Sequence, residues 1–239
     1  MPSPRVNDFA FKQSKVLKTK ILAKDVIEIT FEKPKKRQHA PGQFATIRIA
    51  DHTHAPCFRA YSIMENPENK EQLQVAVKKV KNGRGSTWLQ TVKEGDVLDI
   101  LYPMGYFGFP EKTSSNLNFI ATGTGVVPIL NLIENIKDTT TNAKLYFGVR
   151  NEKDLFYEER IKKLEKSLPN FKSTITLSQP SNKWKGNIGR VTKHIEKETF
   201  PKNAQFFICG NGNMIKAVRE ILEKKGVSTK NIFFEDFNE

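Results

Sequence analysis

Cysteine is nearly absent from this chain: Cys57 and Cys209 are the only two. A disulfide framework, a four-cysteine zinc site and an iron–sulfur cluster held by this chain alone are thereby excluded. Long apolar runs are missing, and so is a signal-like N-terminus, so the expectation is a cytoplasmic protein without membrane insertion. No repeat, recognition-helix pattern or basic block longer than Lys35-Lys36-Arg37 is present. Nucleic acid is therefore not expected as a partner, despite a net charge of +13. The excess is spread along the chain, with 19 basic against 12 acidic residues in 1–112 and 20 against 14 in 113–239. Such a balance suits a solvated lysine-rich surface or attraction to an acidic protein partner.

What is present divides the 239 residues into two halves. From residue 11 to about 110 the signals are short and strand-like: KVLKTKIL, DVIEITFE, GQFATIRIA, QLQVAVKKV and DVLDILYP. Pro-Gly, Asn-Pro and Asn-Gly corners separate them, and the segment 85–92 reads as one interrupting helix. This spacing predicts a small antiparallel β-barrel over residues 1–112. From about residue 115 strands alternate with helices. NFIAT, AKLYFGVR, FKSTITLS, AQFFICG and NIFFEDF are each set off by helical periodicity. Five strands in that rhythm predict a parallel-sheet α/β domain over 113–239, with the polar stretch 111–116 as the boundary.

Two stretches carry candidate chemistry. In IATGTGVVPIL, Gly123, Thr124 and Gly125 lie between a first strand and a first helix, where open α/β sheets bind ligands and backbone amides favour phosphate. Pro128 stands where the G-x-G-x-x-G fingerprint has its third glycine, and it fits the first helical turn. In the barrel half, Arg59-Ala60-Tyr61-Ser62 precedes Gly83-Arg84-Gly85-Ser86-Thr87. An arginine matches a pyrophosphate, a tyrosine ring can lie flat on an isoalloxazine, and a serine hydroxyl can reach a ring nitrogen.

Taken in order, these motifs resemble the ferredoxin–NADP reductase superfamily of flavoenzymes over nearly the whole chain. Pro41-Gly42-Gln43-Phe44, Pro103-Met104-Gly105, Cys209-Gly210-Asn211-Gly212-Asn213-Met214 and Phe234-Glu235-Asp236-Phe237 complete the set. The resemblance implies a barrel that binds FAD and an α/β domain that binds NAD(P)H. Arg59 would hold the FAD pyrophosphate, Ala60 and Tyr61 would line the flavin, and Ser62 would lie near N5. Gly85, Ser86 and Thr87 would bind phosphate, with Lys78 lining the same site. Gly123, Thr124, Gly125 and Pro128 would receive the nicotinamide dinucleotide, together with Gly210 and Met214. Cys209 would sit at the hydride-transfer point with Glu235 as a polar neighbour, so Ser62, Cys209 and Glu235 are the catalytic candidates. Phe237 would stack on the flavin, unless FFEDF is simply a last strand. Taken alone, Cys209 also reads as a small apolar residue ending a buried strand.

For the nucleotide, Ser178-Gln179 replaces the Ser-Arg pair common in NADP-using relatives, which favours NADH. Arg150 and Arg190, flanked by Lys183 and Lys185, match phosphate-binding positions and tip the expectation to NADPH, with NADH open. No cysteine quartet is available for a fused ferredoxin domain. The electron acceptor is thus expected to be separate: an acidic ferredoxin, a flavodoxin or an oxygenase component. A monomer is expected. An NAD(P)H:flavin reductase releasing free reduced flavin and an electron-transfer subunit of a larger complex are the alternatives on the same fold.

Overall fold

The computed structural model describes residues 10–34, 38–51 and 54–237, so the run Lys35-Lys36-Arg37 lies outside the described residues. The chain forms two compact units that divide between Tyr106 and Phe107, ahead of the 112/113 division read from composition. Residues 112–114 belong with the second unit: Gln205 accepts a hydrogen bond from the Ser114 amide at 2.9 Å and donates one to Lys112 O at 3.0 Å.

The first unit is a closed antiparallel barrel. Its strands are β1 (Lys12–Ala23), β2 (Val26–Glu32), β3 (Phe44–Ile49), β4 (Cys57–Asn66), β5 (Asn69–Lys78) and β6 (Val97–Met104), in the order β1-β2-β5-β4-β3-β6. Tight corners set the register. Ala23 pairs with Val26 across a two-residue turn in which Asp25 takes φ 60°, and Asn66 pairs with Asn69 across Pro67-Glu68. Period-two alternation sends Ile27, Ile29 and Phe31 inward with Ile47, Ile63, Val75 and Ile100. Each fully buried side chain of this size contributes about 1.5–3 kcal/mol. One helix, α1 (Arg84–Leu89), places Leu89 in this core and packs Trp88 against it. It ends three residues before the expected Val92. The Thr91 and Val92 amides turn back to Trp88 O and Leu89 O, while the Gln90 side chain is drawn to Val77 O at 3.0 Å.

At one end of this barrel core, Tyr102 Oη and His39 Nδ1 share a hydrogen bond of 2.6 Å. Burial pulls the His39 pKa down to about 4, against the opposing pull of Glu65. Between pH 6.5 and 4 the unfolded chain therefore binds a proton that the folded chain refuses, and stability falls as pH falls. The loss attributable to His39 approaches about 3 kcal/mol at the acid end of that window. His39→Gln is expected to flatten this part of the pH dependence. Urea midpoints taken from pH 7.5 to 4.5 check it, and an unchanged slope in the variant would assign the acid lability to other groups.

The second unit has a six-stranded parallel sheet in the order β10-β9-β8-β7-β11-β12. Its elements are β7 (Asn116–Thr122), α2 (Val126–Glu134), β8 (Asn142–Val149), α3 (Glu158–Ser167), β9 (Phe171–Leu177), β10 (Asn187–Ile188), α4 (Val191–Lys197), β11 (Gln205–Gly210), α5 (Gly212–Lys224) and β12 (Ile232–Asp236). All five expected strands are present. The sixth, β10, is a two-residue addition paired to Thr176 and Leu177, too short to show a period in the sequence. Strands buried on both faces alternate between two cores. Phe206 and Ile208 face α4 and α5 with Val191, Ile195, Ile215, Val218 and Leu222. Phe207 turns the other way and stacks between Phe119 at 5.3 Å and Phe233 at 5.1 Å. Cys209 shares that second face by the same alternation.

Candidate functional site

In the barrel the candidate site lies along β4. Pairing with β3 covers the whole Cys57–Ser62 stretch, whereas pairing with β5 covers only Ile63 to Asn66. Half of β4 is thus left beside no β5 partner, and there Phe58, Arg59 and Ala60 are exposed. Tyr61 is half-buried with its ring against the barrel core. Burial pushes its pKa up to about 12, so the phenol stays neutral at physiological pH. Ser62 is buried opposite Phe44.

Gly85 meets this strand directly. A Cβ there would come within 2.9 Å of Arg59 Cγ and 3.2 Å of Ile49 Cγ1. The Arg59 stem therefore occupies the space that any larger residue at 85 would need, and the two sequence motifs form one surface. The Arg59 guanidinium donates to Phe58 O at 2.8 Å and has no carboxylate partner among the described residues. Ser86 is buried in the loop. Its hydroxyl accepts from the Val80 amide at 3.0 Å and donates to Gly83 O at 3.1 Å, so it closes the loop. The amides of residues 84–86 precede the first helical bond, which Thr87 makes to Gly83 O at 2.9 Å. Thr87 is exposed, as is Lys78; Lys78 lies three residues beyond the last β4–β5 pair, as Ala60 does on the facing strand.

Sequence reasoning missed the anchor of this loop. The Arg84 guanidinium grips both oxygens of Asp51, at 2.6 and 2.7 Å, and donates to Ala55 O at 2.7 Å. A cation in the first turn of a helix opposes the helix dipole. That misplaced charge was the signal that an acidic partner had to exist. Gln43 was also missed: its side chain donates to Gly105 O at 3.0 Å, tying Pro41-Gly42-Gln43-Phe44 to Pro103-Met104-Gly105.

In the second unit the candidate site is the crevice between β7 and β11, where strand order reverses. Gly123–Gly125 form a 3-10 turn that runs straight into α2, with Pro128 buried at its third position. A Cβ on Gly125 would lie 2.5 Å from the Cys209 carbonyl carbon and 2.7 Å from Gly210 Cα, backbone atoms that cannot yield. Gly210, at φ 142°, reciprocates by sitting against Thr122, whose Oγ1 accepts from the Asn211 amide at 3.3 Å. Thr122 is a further residue the sequence reading passed over. The register sets Cys209 between Ala121 and Glu235. Cys209 is fully buried, and burial first, then Glu235, raises its thiol well above the usual range, so it is a neutral thiol. Met214 packs beside the α4–α5 core, and Phe237 donates to Gly210 O at 3.4 Å, extending the line of β12.

At the far strands, Arg150, Ser178 and Arg190 also converge. Gln179 N donates to Arg150 O at 2.7 Å, and Gly189 N donates to Leu177 O at 2.8 Å, which holds Arg190 beside the end of β9. All three side chains are exposed. The structure thus joins Arg59 through Ser62 with Gly85 in one unit. In the other it joins Gly125 with Gly210, Cys209 and Glu235, and separately Arg150 with Ser178 and Arg190.

Residues 13–109 match the family described as the oxidoreductase FAD-binding domain, and residues 119–220 match the oxidoreductase NAD-binding domain. The chain is similar to the anthranilate 1,2-dioxygenase electron transfer component of Acinetobacter baylyi, at 29% identity over 207 residues, 85% of this chain and 59% of that protein. It is also similar to one subunit of the Na(+)-translocating NADH-quinone reductase of Klebsiella pneumoniae, at 27% identity over 226 residues, 87% of this chain and 55% of that one. It therefore spans less than two thirds of either relative. A ferredoxin NADP+ reductase from Neisseria gonorrhoeae, solved with bound FAD and NADP, shares the fold with a TM-score of 0.84 at 20% identity, covering 95% of this chain and 98% of that one.

Proposed function

This chain belongs to the ferredoxin–NADP reductase superfamily, and from that premise we propose that it takes electrons from NADPH, through FAD held in the barrel, to a separate one-electron carrier. The carrying observation is that one chain presents both halves of such an electron path. Arg59 is set against Gly85 at an open strand edge, and Gly125 is interlocked with Cys209 and Gly210 at the reversal of the sheet. The residues suit FAD, because an arginine without a carboxylate partner among the described residues and the glycine beside it leave room and charge for a pyrophosphate. When bound, FAD accepts a hydride and releases electrons one at a time. Arg59 would hold the pyrophosphate, helped by the amides of Gly85 and Ser86 and by the exposed Thr87 side chain. Tyr61 would offer a neutral ring face, and Ser62 a hydroxyl near the reacting edge. Thr124 and its neighbouring glycines would take the nicotinamide dinucleotide. Cys209 would add a small neutral wall, with Glu235 a polar neighbour beside it. Arg150 and Arg190 supply cationic donors suited to a 2′-phosphate, and this favours NADPH over NADH.

An absorbance spectrum followed by anaerobic titration tests the proposal. A yellow protein bleached by NADPH at lower concentration than by NADH is the expected result. A colourless protein that oxidises nucleotide only when free flavin is added would move the function to release of reduced flavin.

For the acceptor, the +13 charge supports an acidic ferredoxin, flavodoxin or oxygenase component. The anthranilate relative, called an electron transfer component, is consistent with that choice. Among the described residues no helix is long and apolar enough to cross a membrane, and the cytoplasm is the proposed compartment. Reduction of an acidic ferredoxin is expected to slow about tenfold between 20 mM and 500 mM salt, with reduction of a small neutral quinone nearly constant. A ferredoxin rate independent of salt would remove charge from the account of partner choice.

A further inference from the structure

The segment after β9 is folded back by a specific set of hydrogen bonds. Glu152 Oε1 accepts from the Ser181 amide at 2.9 Å and from Ser181 Oγ at 2.6 Å. Ser181 Oγ in turn accepts from the Lys183 amide at 3.3 Å. The far end is closed by Trp184 Nε1, which donates to Asn187 O at 2.9 Å, and by Asn187 Nδ2, which donates to Ile175 O at 3.1 Å. Residues 181–187 therefore stand as a tied loop next to the rim that carries Arg150, Ser178 and Arg190. The two arginines form no side-chain hydrogen bond or ion pair among the described residues, and Lys183 and Lys185 are exposed on the loop.

Glu152 is the anomaly of this rim. A carboxylate two residues from Arg150 would neutralise that arginine or repel an incoming phosphate if it were free to turn. The Ser181 hydrogen bonds hold it below the usual carboxylate range and fully charged, yet directed at the loop. We propose that the Glu152–Ser181 contact is a latch that sets preference for the 2′-phosphorylated nucleotide. It keeps the carboxylate off Arg150 and orders Lys183 and Lys185 beside the phosphate position. Glu152 is thus a positioning residue acting through Ser181. The inference rests on the proposed reading of this unit as the nucleotide-binding half.

Calorimetric binding of 2′,5′-ADP and of 5′-AMP to the FAD-loaded protein tests it. Ser181→Ala keeps the carboxylate and removes the hydroxyl that restrains it. It is expected to weaken 2′,5′-ADP about tenfold and 5′-AMP less than about twofold, the scale of one charge-assisted hydrogen bond. The KM for NADPH rises with it while kcat holds. Glu152→Gln, which retains an acceptor for Ser181, is expected to keep 2′,5′-ADP binding within about twofold of the parent or to tighten it. Equal weakening of both ligands by Ser181→Ala, or no change in either, overturns the latch. A parent protein that binds both fragments equally well overturns the latch and the preference for NADPH but leaves this unit as the nucleotide-binding half, whereas one that binds neither overturns that reading as well.

Discussion

Gly125→Ala is expected to cut nucleotide-driven reduction at least roughly 100-fold while leaving the flavin content of the protein unchanged. The added methyl has nowhere to go: the Cys209 carbonyl carbon would lie 2.5 Å from it and Gly210 Cα 2.7 Å. Both are backbone atoms at the end of β11, held on one side by Ala121 and on the other by Glu235. Relief requires the turn at 123–125 to lift away from β11, which misplaces the amides proposed to receive the dinucleotide and costs on the order of 1–3 kcal/mol in packing. The barrel is a separate compact unit, so its flavin is expected to stay. Ferricyanide reduction with NADPH, set beside the ratio of visible to ultraviolet absorbance, separates the two effects. A variant with parental turnover would mean that the turn is only a corner between strand and helix. A variant that loses flavin too would mean that the two units do not hold their ligands independently.

The same crevice shows how much of the site the sequence disclosed. Gly123-Thr124-Gly125 was legible because glycines between a strand and a helix have a local meaning, and Pro128 was legible because only a first helical turn tolerates it cheaply. The reason Gly125 must be glycine was not legible. It depends on a peptide in β11, more than eighty residues away, that only folding brings into contact. The barrel strands followed from alternation, as in Val26–Glu32, where Ile27, Ile29 and Phe31 enter the core. Glu28 and Thr30 between them are buried too, which the alternation does not announce. Elements whose limits are set from outside were misplaced. Gln90 is drawn to Val77 O, which ends α1 early, and β10 exists only because β9 offers it an edge. Phe237, expected either to stack on the flavin or to close a strand, is tied by its amide to Gly210 O, an interaction local to the second unit. The Arg84–Asp51 pair spans 33 residues and has no period to announce it. Ser86 is expected to take phosphate through the amides at the helix start; its hydroxyl, whose bonds to Val80 and Gly83 no motif discloses, is committed within the loop. Its amide remains the part of Ser86 suited to that role.

With the Ser86 hydroxyl committed, the side-chain burden of anion binding in the barrel falls on Arg59, and Arg59→Ala is accordingly expected to weaken FAD binding about 100-fold, near 3 kcal/mol. The side chain is exposed at the end of β4 that β5 does not cover, and its charge meets no carboxylate among the described residues. Arg84, the other arginine of this surface, is unavailable, since Asp51 already takes its fork. Removing Arg59 therefore removes the guanidinium that, among the described residues, this site leaves for a pyrophosphate. Arg59→Lys is expected to recover only part of the loss, because a single ammonium cannot make paired hydrogen bonds to phosphate oxygens. Gly85→Val tests the same surface from the opposite side: its Cβ would press on Arg59 Cγ and swing the guanidinium out of place, giving a comparable loss without touching any charge. Fluorescence titration of the flavin-free protein with FAD measures all three. Parental affinity in Arg59→Ala together with loss in Gly85→Val would assign the pyrophosphate to the amides of Gly85 and Ser86. Parental affinity in both would remove this edge of β4 as the flavin site.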